Sequence, residues 1–275
     1  MSTVSRIRLD PDLTAGHASA FQTYFRGAHN LSRTEWHTLR TGMDMLAQCQ
    51  VNFQESTYTF AQFYRTFLEG DHAPAFLVSL YQLTNIQQTG AAMQAQHARE
   101  ILAWLTNNGF YGPNAADSSF LVTYCLYQWA SFANGYIFQI SVFRDLEASG
   151  IRFTPNDPRN LQQRFADHDL VLQGFKGDIK LSLYFLDALP LRSLSADFYL
   201  TQMYDRRQTR QRRVALLNTQ MWKAINGHTT PGRLLDALQW FPTPVAITLQ
   251  QEPWIIMAYI EWKAHVLSAQ ARSVS

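Results

Sequence analysis

The stretch 166–186 constrains the fold more than any other part of the chain. It places two short apolar runs, 170–172 and 181–186, on either side of the turn-like Gly-Phe-Lys-Gly at 174–177. Short apolar runs separated by a glycine-containing turn are typical of a β-hairpin. The sequence therefore predicts a hairpin in the middle of the second half of the chain.

Charged side chains flank the apolar runs of this hairpin. Asp169 precedes the first run, and Asp178 and Lys180 open the second. Because side chains alternate along a strand, Asp178 and Lys180 share one face. A turn centred either at 173/174 or at 175/176 puts Asp169 on that same face. The pattern predicts two carboxylates and an amine on one surface of a small sheet.

Composition sets the broad class of the protein. The chain has 275 residues, is 47% hydrophobic and carries a formal net charge of +2, which fits one large or two small globular domains. No run approaches the roughly 18 apolar residues of a membrane helix, and the N-terminus lacks the apolar core of a signal peptide. Cys49 and Cys125 lie far apart, as expected for free buried thiols. We expect a soluble, cytoplasmic protein without a membrane partner.

The first half of the chain is predicted to be helical from residue 15 to about 149. Ser32 and Glu35 form a capping-box pattern, and Pro74 suits the first turn of a later helix. The many aromatic residues recur at helical spacing, which favours packing between helices over a ligand pocket. Residues 1–133 are therefore interpreted as a helical region.

The character of the sequence changes after Gly150, and residues 134–275 are interpreted as a second domain. Beside the opening hairpin we expect a second hairpin with a basic tip, whose second arm could instead be a helix. The predicted elements are a strand at 151–154, the hairpin arms 197–204 and 213–222, a helix at 233–240, a strand at 244–249 and a terminal amphipathic helix over 252–271.

Other familiar site patterns are missing from the sequence. The eight histidines form no His-x-x-x-His pair and no Cys/His cluster, so no zinc site is predicted. There is no phosphate-binding glycine loop and no Gly-x-Ser-x-Gly. The acidic pair with its lysine is the remaining chemical signal. Carboxylate oxygens bind Mg²⁺, the metal activates water and stabilises a phosphoryl transition state, and a lysine can orient that water.

Asp169-Leu-Val-Leu followed by Asp178-Ile-Lys180 resembles the PD-(D/E)xK nuclease superfamily. In that family an aspartate begins one strand and an acidic-x-Lys motif lies on the next, after a helix and a short strand. The resemblance covers about residues 134–205. It implies a restriction-endonuclease-like core in which Asp169 and Asp178 bind Mg²⁺, with Mn²⁺ as the alternative, and Lys180 positions or activates water.

The same resemblance implies a further acidic residue on the preceding helix. Glu147 is the first choice for this catalytic and metal-binding role, and Asp145 is the substitute. Asp167 could replace Asp169, although it lies farther from the apolar run. A second acidic-x-Lys triplet, 261–263, falls in a predicted helix, where residues two apart point to different faces.

An arginine cluster follows the hairpin. Several arginines close together in the sequence can contact the phosphates of a nucleic acid, which gives binding that is sensitive to salt and tolerant of base sequence. The alternatives are a solvated loop or a site for an acidic protein. The expected nucleic-acid-binding residues are Arg206, Arg207, Arg210, Arg212 and Arg213.

The sequence thus predicts a mixed α+β fold, with a helical N-terminal region followed by a restriction-endonuclease-like α/β core. The expected function is Mg²⁺-dependent endonuclease activity on DNA, in restriction, defence, repair or transposition, or in a delivered toxin. The helical region is expected to recognise substrate, form a homodimer or dock a protein partner. The alternative is a non-catalytic nucleic-acid- or protein-binding module with a basic arm, in which Asp178 and Lys180 form an ordinary surface ion pair.

Overall fold

The computed structural model describes most of the chain. The described residues are 9, 11–25, 31–111, 118–182, 186, 194–204, 211–226, 231–232 and 244–273. They form a mixed α+β protein with helices concentrated in the N-terminal part and a sheet later. Contacts divide the chain into two compact units, residues 1–134 and 135–275. Helix α6, Ser118–Ala148, contributes residues to both units.

The N-terminal unit is built from helices around a short hairpin. Its elements are α1 Pro11–Phe25, α2 Arg33–Gln48, β1 Gln50–Phe53, β2 Ser56–Thr59, α3 Phe60–Tyr64, α4 Gly70–Gln82, α5 Ile86–Asn107 and the first part of α6. The predicted capping box starts α2, because the Ser32 hydroxyl accepts from Glu35 N while the Glu35 carboxylate accepts from Ser32 N.

Two details of this unit differ from the sequence predictions. Strands β1 and β2 interrupt the expected helical region, joined by a turn in which Gln54 and Glu55 both have positive φ (48° and 63°). Such a turn normally carries Asn-Gly, and Gln54-Glu55 provides no comparable hairpin signal. Helix α4 begins at Gly70 and not at Pro74, because the π-helical turn Arg65–Glu69 continues α3 into it.

The aromatic residues form core, as predicted from their spacing. The rings of Phe53, Phe63, Trp104 and Phe110 contact one another with centroids 4.8–6.1 Å apart. Tilted and edge-on ring contacts of this kind add to the burial of large apolar surfaces. The Cys125 thiol is also buried, which raises its pKa and makes it a poor nucleophile.

The C-terminal unit contains a sheet with one parallel pairing. Its order among the described residues is β3-β4-β5-β6-β7-β9-β8; β5 and β6 are parallel, and the other neighbours are antiparallel. The elements are β3 Thr154–Pro155, α7 Leu161–Arg164, β4 Leu170–Leu172, β5 Phe175–Lys180, β6 Phe198–Tyr204, β7 Gln211–Asn218, α8 Thr219–Asn226, β8 Val245–Leu249, β9 Glu252–Ala258 and α9 Tyr259–Arg272.

Both faces of this sheet are covered by apolar side chains. On one face Leu170, Leu172 and Ile179 pack with the end of α6, with α8 and with α9 in the larger core cluster. On the other face Tyr199 and Trp254 belong to a smaller cluster. Strand side chains alternate, so the residues flanking Ile179 point toward the face opposite α6.

Several boundaries in this unit correct the sequence predictions. The second hairpin is confirmed, with β6 and β7 as its arms, but its second arm ends at Asn218 and α8 follows. The expected terminal helix is wrong over its first seven residues, which form β9. Ile255-Ile-Met257 is buried on both sides of the sheet, and such a continuous apolar run cannot be assigned by periodicity. The helix predicted at 233–240 lies outside the described residues.

A hydrogen-bonded aspartate fixes the register of three neighbouring strands. Asp197 Oδ2 accepts from Lys176 N at 2.8 Å, and Asp197 Oδ1 accepts from Asn218 Nδ2 at 2.9 Å. Its own N–H donates to the Lys176 carbonyl at 2.8 Å. The start of β6 is thereby tied to both β5 and the end of β7.

Gly177 occupies the centre of β5 because no side chain fits there. A Cβ atom at this position would lie 2.1 Å from Cζ of Phe198, its register partner on β6. The Phe198 ring covers the glycine and is fully buried. Gly177 thus lies inside β5, which begins at Phe175, where the close approach of β6 leaves no room for a side chain.

Within the described residues, no helix has the length and apolarity that a membrane span requires.

Candidate functional site

The hairpin β4–β5 brings the side chains of the two predicted aspartates together. Gln173 and Gly174 form its turn with φ of 50° and 84°, and Leu170 pairs with Gly177. Asp169 lies just before β4, and its N–H donates to the Gly177 carbonyl at 2.8 Å, one position out of step with that ladder. The turn is thus centred at 173/174, one of the two positions considered from the sequence.

The two carboxyl groups contact each other below the surface. Asp169 Oδ2 accepts from Ile179 N at 2.7 Å, and the Asp169 carboxyl is hydrogen-bonded to that of Asp178. Burial raises the pKa of Asp169 well above its ordinary 3.8, and the neighbouring Asp178 carboxyl raises it further. The pair is therefore arranged to share a proton or a cation.

Lys180 lies at the solvent side of this pair. Its Nζ is 2.8 Å from Oδ1 and 2.7 Å from Oδ2 of Asp178, so the ammonium faces both oxygens. The Lys180 side chain is 42% exposed, whereas that of Asp178 is 11% exposed. The lysine is the member of the trio that a solvent-borne substrate would meet first.

The structure does not bring the acidic residues of α6 to this pair. The end of α6 packs on the sheet face that carries Ile179, whereas Asp178 points away from it. Asp145 instead accepts from Lys263 Nζ at 2.7 Å, and Glu147 is exposed. Among the described residues, no group of three clustered His, Cys, Asp or Glu ligands includes Asp169 and Asp178.

Asp145 and Lys263 belong to a separate polar cluster beside the larger core. Partial burial raises the pKa of Asp145, but the hydrogen bond from Lys263 and the charges of Lys263 and Arg213 outweigh that effect and leave the pKa lowered. Lys263 Nζ also donates to Ser149 Oγ at 3.0 Å. The triplet 261–263 lies on helix α9, as predicted, and its lysine joins helices together.

Asp167, two residues before Asp169, forms a distinct ion pair on the same hairpin. Its carboxylate lies 2.6 Å from His168 Nδ1 and 3.0 Å from Lys176 Nζ. The His168 hydrogen bond, followed by that of Lys176, lowers the pKa of Asp167 to about 2. Lys176 and Lys180 share one face of β5, so the hairpin carries two Asp–Lys pairs, one exposed and one partly buried.

Two arginines of the predicted cluster, Arg212 and Arg213, lie within the described residues, and their environments differ. Arg206, Arg207 and Arg210 lie outside the described residues, and Arg212 is exposed near the start of β7. Arg213 Nη2 donates to Ser141 Oγ at 3.1 Å, and its guanidinium lies 5.3 Å from the centroid of the Phe138 ring. Arg213 therefore has a structural role between β7 and α6.

Two features of the structure could not be found from the sequence. Thr201 on β6 is the register partner of Lys180, and its buried hydroxyl has no hydrogen-bond partner among the described residues. In the N-terminal unit, His72, His97 and Glu100 form a cluster of possible metal ligands. The i,i+3 spacing of His97 and Glu100 was visible, but the approach of His72 depends on how α4 packs on α5.

Comparison of the chain with protein-family models, with curated proteins and with solved structures found no match.

Proposed function

We propose that the C-terminal unit is a metal-dependent nuclease that hydrolyses phosphodiester bonds in DNA. The observation that carries this proposal is the hydrogen bond between the carboxyl groups of Asp169 and Asp178, with Lys180 Nζ 2.7 Å from Asp178. Two carboxylates and a lysine on adjacent strands form the donor set that such chemistry uses.

The chain topology around the site supports the same proposal. Helix α6, strand β3, the short helix α7, strand β4 just after Asp169 and strand β5 with Asp178 and Lys180 follow in this order, and β6 then pairs in parallel with β5. This order agrees with the restriction-endonuclease-like core that the motif resembles. The exposed Arg212 at the β6–β7 hairpin supplies positive charge for a nucleic-acid backbone.

The donor set fits Mg²⁺, with Mn²⁺ as the alternative. Mg²⁺ is commonly held by one or two carboxylates while water and substrate phosphate oxygens complete its octahedron, so the aspartate pair suffices without Glu147. When bound, the metal would lower the pKa of a coordinated water and stabilise charge on the phosphoryl group. Asp169 and Asp178 would hold the ion.

Lys180 would act on the substrate side of the pair. Its ammonium is placed by Asp178, so it can neutralise a phosphate or orient a water molecule. Ile179 N fixes one oxygen of Asp169 and thereby limits the rotation of that carboxyl group. The proposal assigns no step to Glu147 or Asp145.

The test is cleavage of plasmid, linear and single-stranded DNA, and of RNA, in Mg²⁺ or Mn²⁺ with EDTA as the blank. We expect Asp178→Asn and Lys180→Gln to lower the rate by about 100-fold or more, because general acid–base and metal-positioning groups typically contribute this much. The matched controls are Asp167→Asn and Lys176→Gln, which remove the exposed Asp–Lys pair of the same hairpin. They should leave the rate within a few-fold of wild type.

A second candidate function is a non-catalytic nucleic-acid-binding module. The burial of Asp169 favours it, because an ion pair between Asp178 and Lys180 above a protonated Asp169 is stable without a metal. Salt-sensitive DNA binding without cleavage in either metal would establish this function and refute the nuclease. Cleavage that persists in both Asp178→Asn and Lys180→Gln would refute the site assignment.

A further inference from the structure

The N-terminal unit contains a compact cluster of two histidines and a glutamate. His72 lies in the first turn of α4, and His97 and Glu100 lie one helical turn apart on α5. The two Nδ1 atoms are 3.2 Å apart, and Glu100 Oε2 is 3.2 Å from His97 Nδ1 and 3.5 Å from His72 Nδ1. Three potential ligand atoms therefore form a nearly equilateral triangle.

The size of this triangle matches one face of a tetrahedron around a transition-metal ion. Zn²⁺ binds imidazole nitrogen and carboxylate oxygen at about 2.0–2.1 Å, which places adjacent tetrahedral ligands about 3.3–3.4 Å apart. Octahedral coordination at the same bond lengths would require edges of about 3 Å. The observed edges of 3.2, 3.2 and 3.5 Å agree better with the tetrahedral arrangement.

The surroundings hold the three ligands in place. Gln96 Nε2 donates to Glu100 Oε1 at 3.1 Å, which occupies one carboxylate oxygen and leaves Oε2 facing the histidines. Hydrogen bonds of this kind from outside the ligand set orient metal-binding groups. Rings of Phe76 and Trp129 lie 5.7 Å and 5.4 Å from the His97 ring, and Trp129 Nε1 donates to the Gln94 carbonyl at 3.0 Å.

The degree of exposure leaves room for a fourth ligand. The side chains of His72 and His97 are 17% and 13% exposed, whereas Glu100 is 44% exposed. An ion on the outer side of the triangle would have the protein on three corners and solvent at the fourth. Three protein ligands with an open fourth position are typical of zinc sites that bind water or a substrate.

We infer that His72, His97 and Glu100 form a tetrahedral site for a divalent transition metal of the zinc class, with the fourth position taken by water. Two imidazole nitrogens favour such an ion over Mg²⁺, which prefers oxygen ligands. The site belongs to the N-terminal unit and does not depend on the proposed nuclease activity.

The test uses the full-length protein after treatment with a chelator. Titration with Zn²⁺ should show one site lost in His72→Ala and in Glu100→Gln, and retained in His37→Ala, which removes an exposed histidine of the same unit. All titrations are repeated in Asp178→Asn, so that a metal held by the carboxyl pair is not counted. Co²⁺ should give the intense visible absorption of a tetrahedral complex.

Gln96→Ala distinguishes a metal site from a simple hydrogen-bonded cluster. It removes no ligand, yet it should weaken Zn²⁺ binding about 10-fold or more, because residues that orient ligands contribute on this scale. Thermal unfolding in EDTA shows whether each variant folds, and added Zn²⁺ should raise the Tm of wild type but not of His72→Ala. Equal Zn²⁺ affinity in wild type and His72→Ala, or weak octahedral Co²⁺ absorption alone, would overturn the inference.

Discussion

The two candidate metal sites of this protein arise in opposite ways. The carboxyl pair of the C-terminal unit comes from residues nine positions apart on one hairpin, and a lysine two positions farther completes it. The histidine cluster of the N-terminal unit joins residues 25 positions apart on different helices. The first is encoded by strand alternation and the second by helix packing, so only the first can be recognised in the sequence.

The sites also differ in chemistry. Asp169 and Asp178 offer hard oxygen ligands, which suit Mg²⁺ and Mn²⁺, whereas His72 and His97 offer imidazole nitrogens, which suit zinc-class ions. A protein with both sites should respond separately to the two classes of metal. The predictions below use this difference, beginning with the largest expected effect.

We expect the largest effects from two substitutions that each disable one metal site and leave the other intact. Asp178→Asn should lower the rate of Mg²⁺-dependent cleavage by about 100-fold or more. The same variant should still bind Co²⁺ and show the absorption of a tetrahedral complex. His97→Ala should abolish the Co²⁺ absorption while Mg²⁺-dependent cleavage stays within a few-fold of wild type. Cleavage rates and visible spectra of the same preparations provide the measurement. Loss of both properties in either variant would show that the sites are not independent.

The next largest effect concerns the glycine that precedes Asp178. Gly177→Ala should destabilise the protein by about 2–3 kcal/mol, because the new methyl group overlaps the buried Phe198 ring. Gly135→Ala is the matched control, since a Cβ there meets nothing within 4 Å and α6 should gain up to about 1 kcal/mol. Urea unfolding of both variants measures the two changes, and a stable Gly177→Ala would contradict the described β5–β6 packing.

The pH dependence of stability tests the environment of Asp169. Its folded-state pKa is raised, so above the ordinary value of 3.8 the native protein keeps a proton that the unfolded chain has released. The native state then binds more protons, and the free energy of unfolding falls with rising pH by about 1.4 kcal/mol per pH unit until Asp169 ionises in the native state.

Asp169→Asn removes the pH-dependent contribution of this carboxyl group to the free energy of unfolding. It keeps a side-chain oxygen that can accept from Ile179 N. The difference in unfolding free energy between variant and wild type should therefore grow in favour of the variant as pH rises from 4 toward neutrality. Taking the difference cancels the opposite contributions of carboxyls with lowered pKa, such as Asp167 and Asp157. Parallel stability curves across this range would show that Asp169 is not held in its protonated form.

The smallest expected change in stability concerns the turns of the hairpins. Turns 54–55, 173–174 and 250–251 all have two residues with positive φ, but among these three only the turn of the β4–β5 hairpin contains a glycine. Gln251→Gly should stabilise the β8–β9 hairpin by about 0.5 kcal/mol, because glycine adopts φ of 68° without steric cost. Gly174→Gln should destabilise by a similar amount. Both changes are measurable by chemical unfolding with the cleavage rate as a second readout.

The same turns explain which parts of the fold could be predicted. The β4–β5 hairpin is predicted because a glycine-containing turn follows a short apolar run, whereas β1–β2 is not, because Gln54 and Glu55 carry no turn signal. Strand β9 escapes prediction because its continuous apolar run also fits a helix. Local rules fail where tertiary packing forces non-glycine residues into the left-handed region. The capping box at Ser32, which depends on four consecutive residues, was predicted correctly.

The candidate site residues also divide into those that local sequence predicts and those that depend on tertiary packing. Strand alternation predicts that Asp178 and Lys180 share one face of β5, because it needs only the order of residues, whereas Asp169 lies just before β4 and reaches Asp178 through its side chain. The role of Glu147 was inferred from a family pattern, and the described geometry leaves it exposed on a helix that packs on the other face of the sheet. Arg213 looked like a phosphate ligand in the sequence, yet its partners Ser141 and Phe138 lie about 70 residues away.

The hydrogen bonds of Asp197 have a consequence for how loss of function would be measured. A slip of β5 by one residue against β6 would carry Asp178 to the face of the larger core cluster and Ile179 to the opposite face. Asp197 opposes that slip by binding Lys176 N and Asn218 Nδ2 together. Replacing Asp197 would lower the fraction of molecules in which β5 and β6 pair in the correct register. Each correctly paired molecule would keep the turnover number of the proposed activity. For the proposed nuclease, Asp197 would thus set the concentration of correctly paired molecules without belonging to the site of Asp169, Asp178 and Lys180.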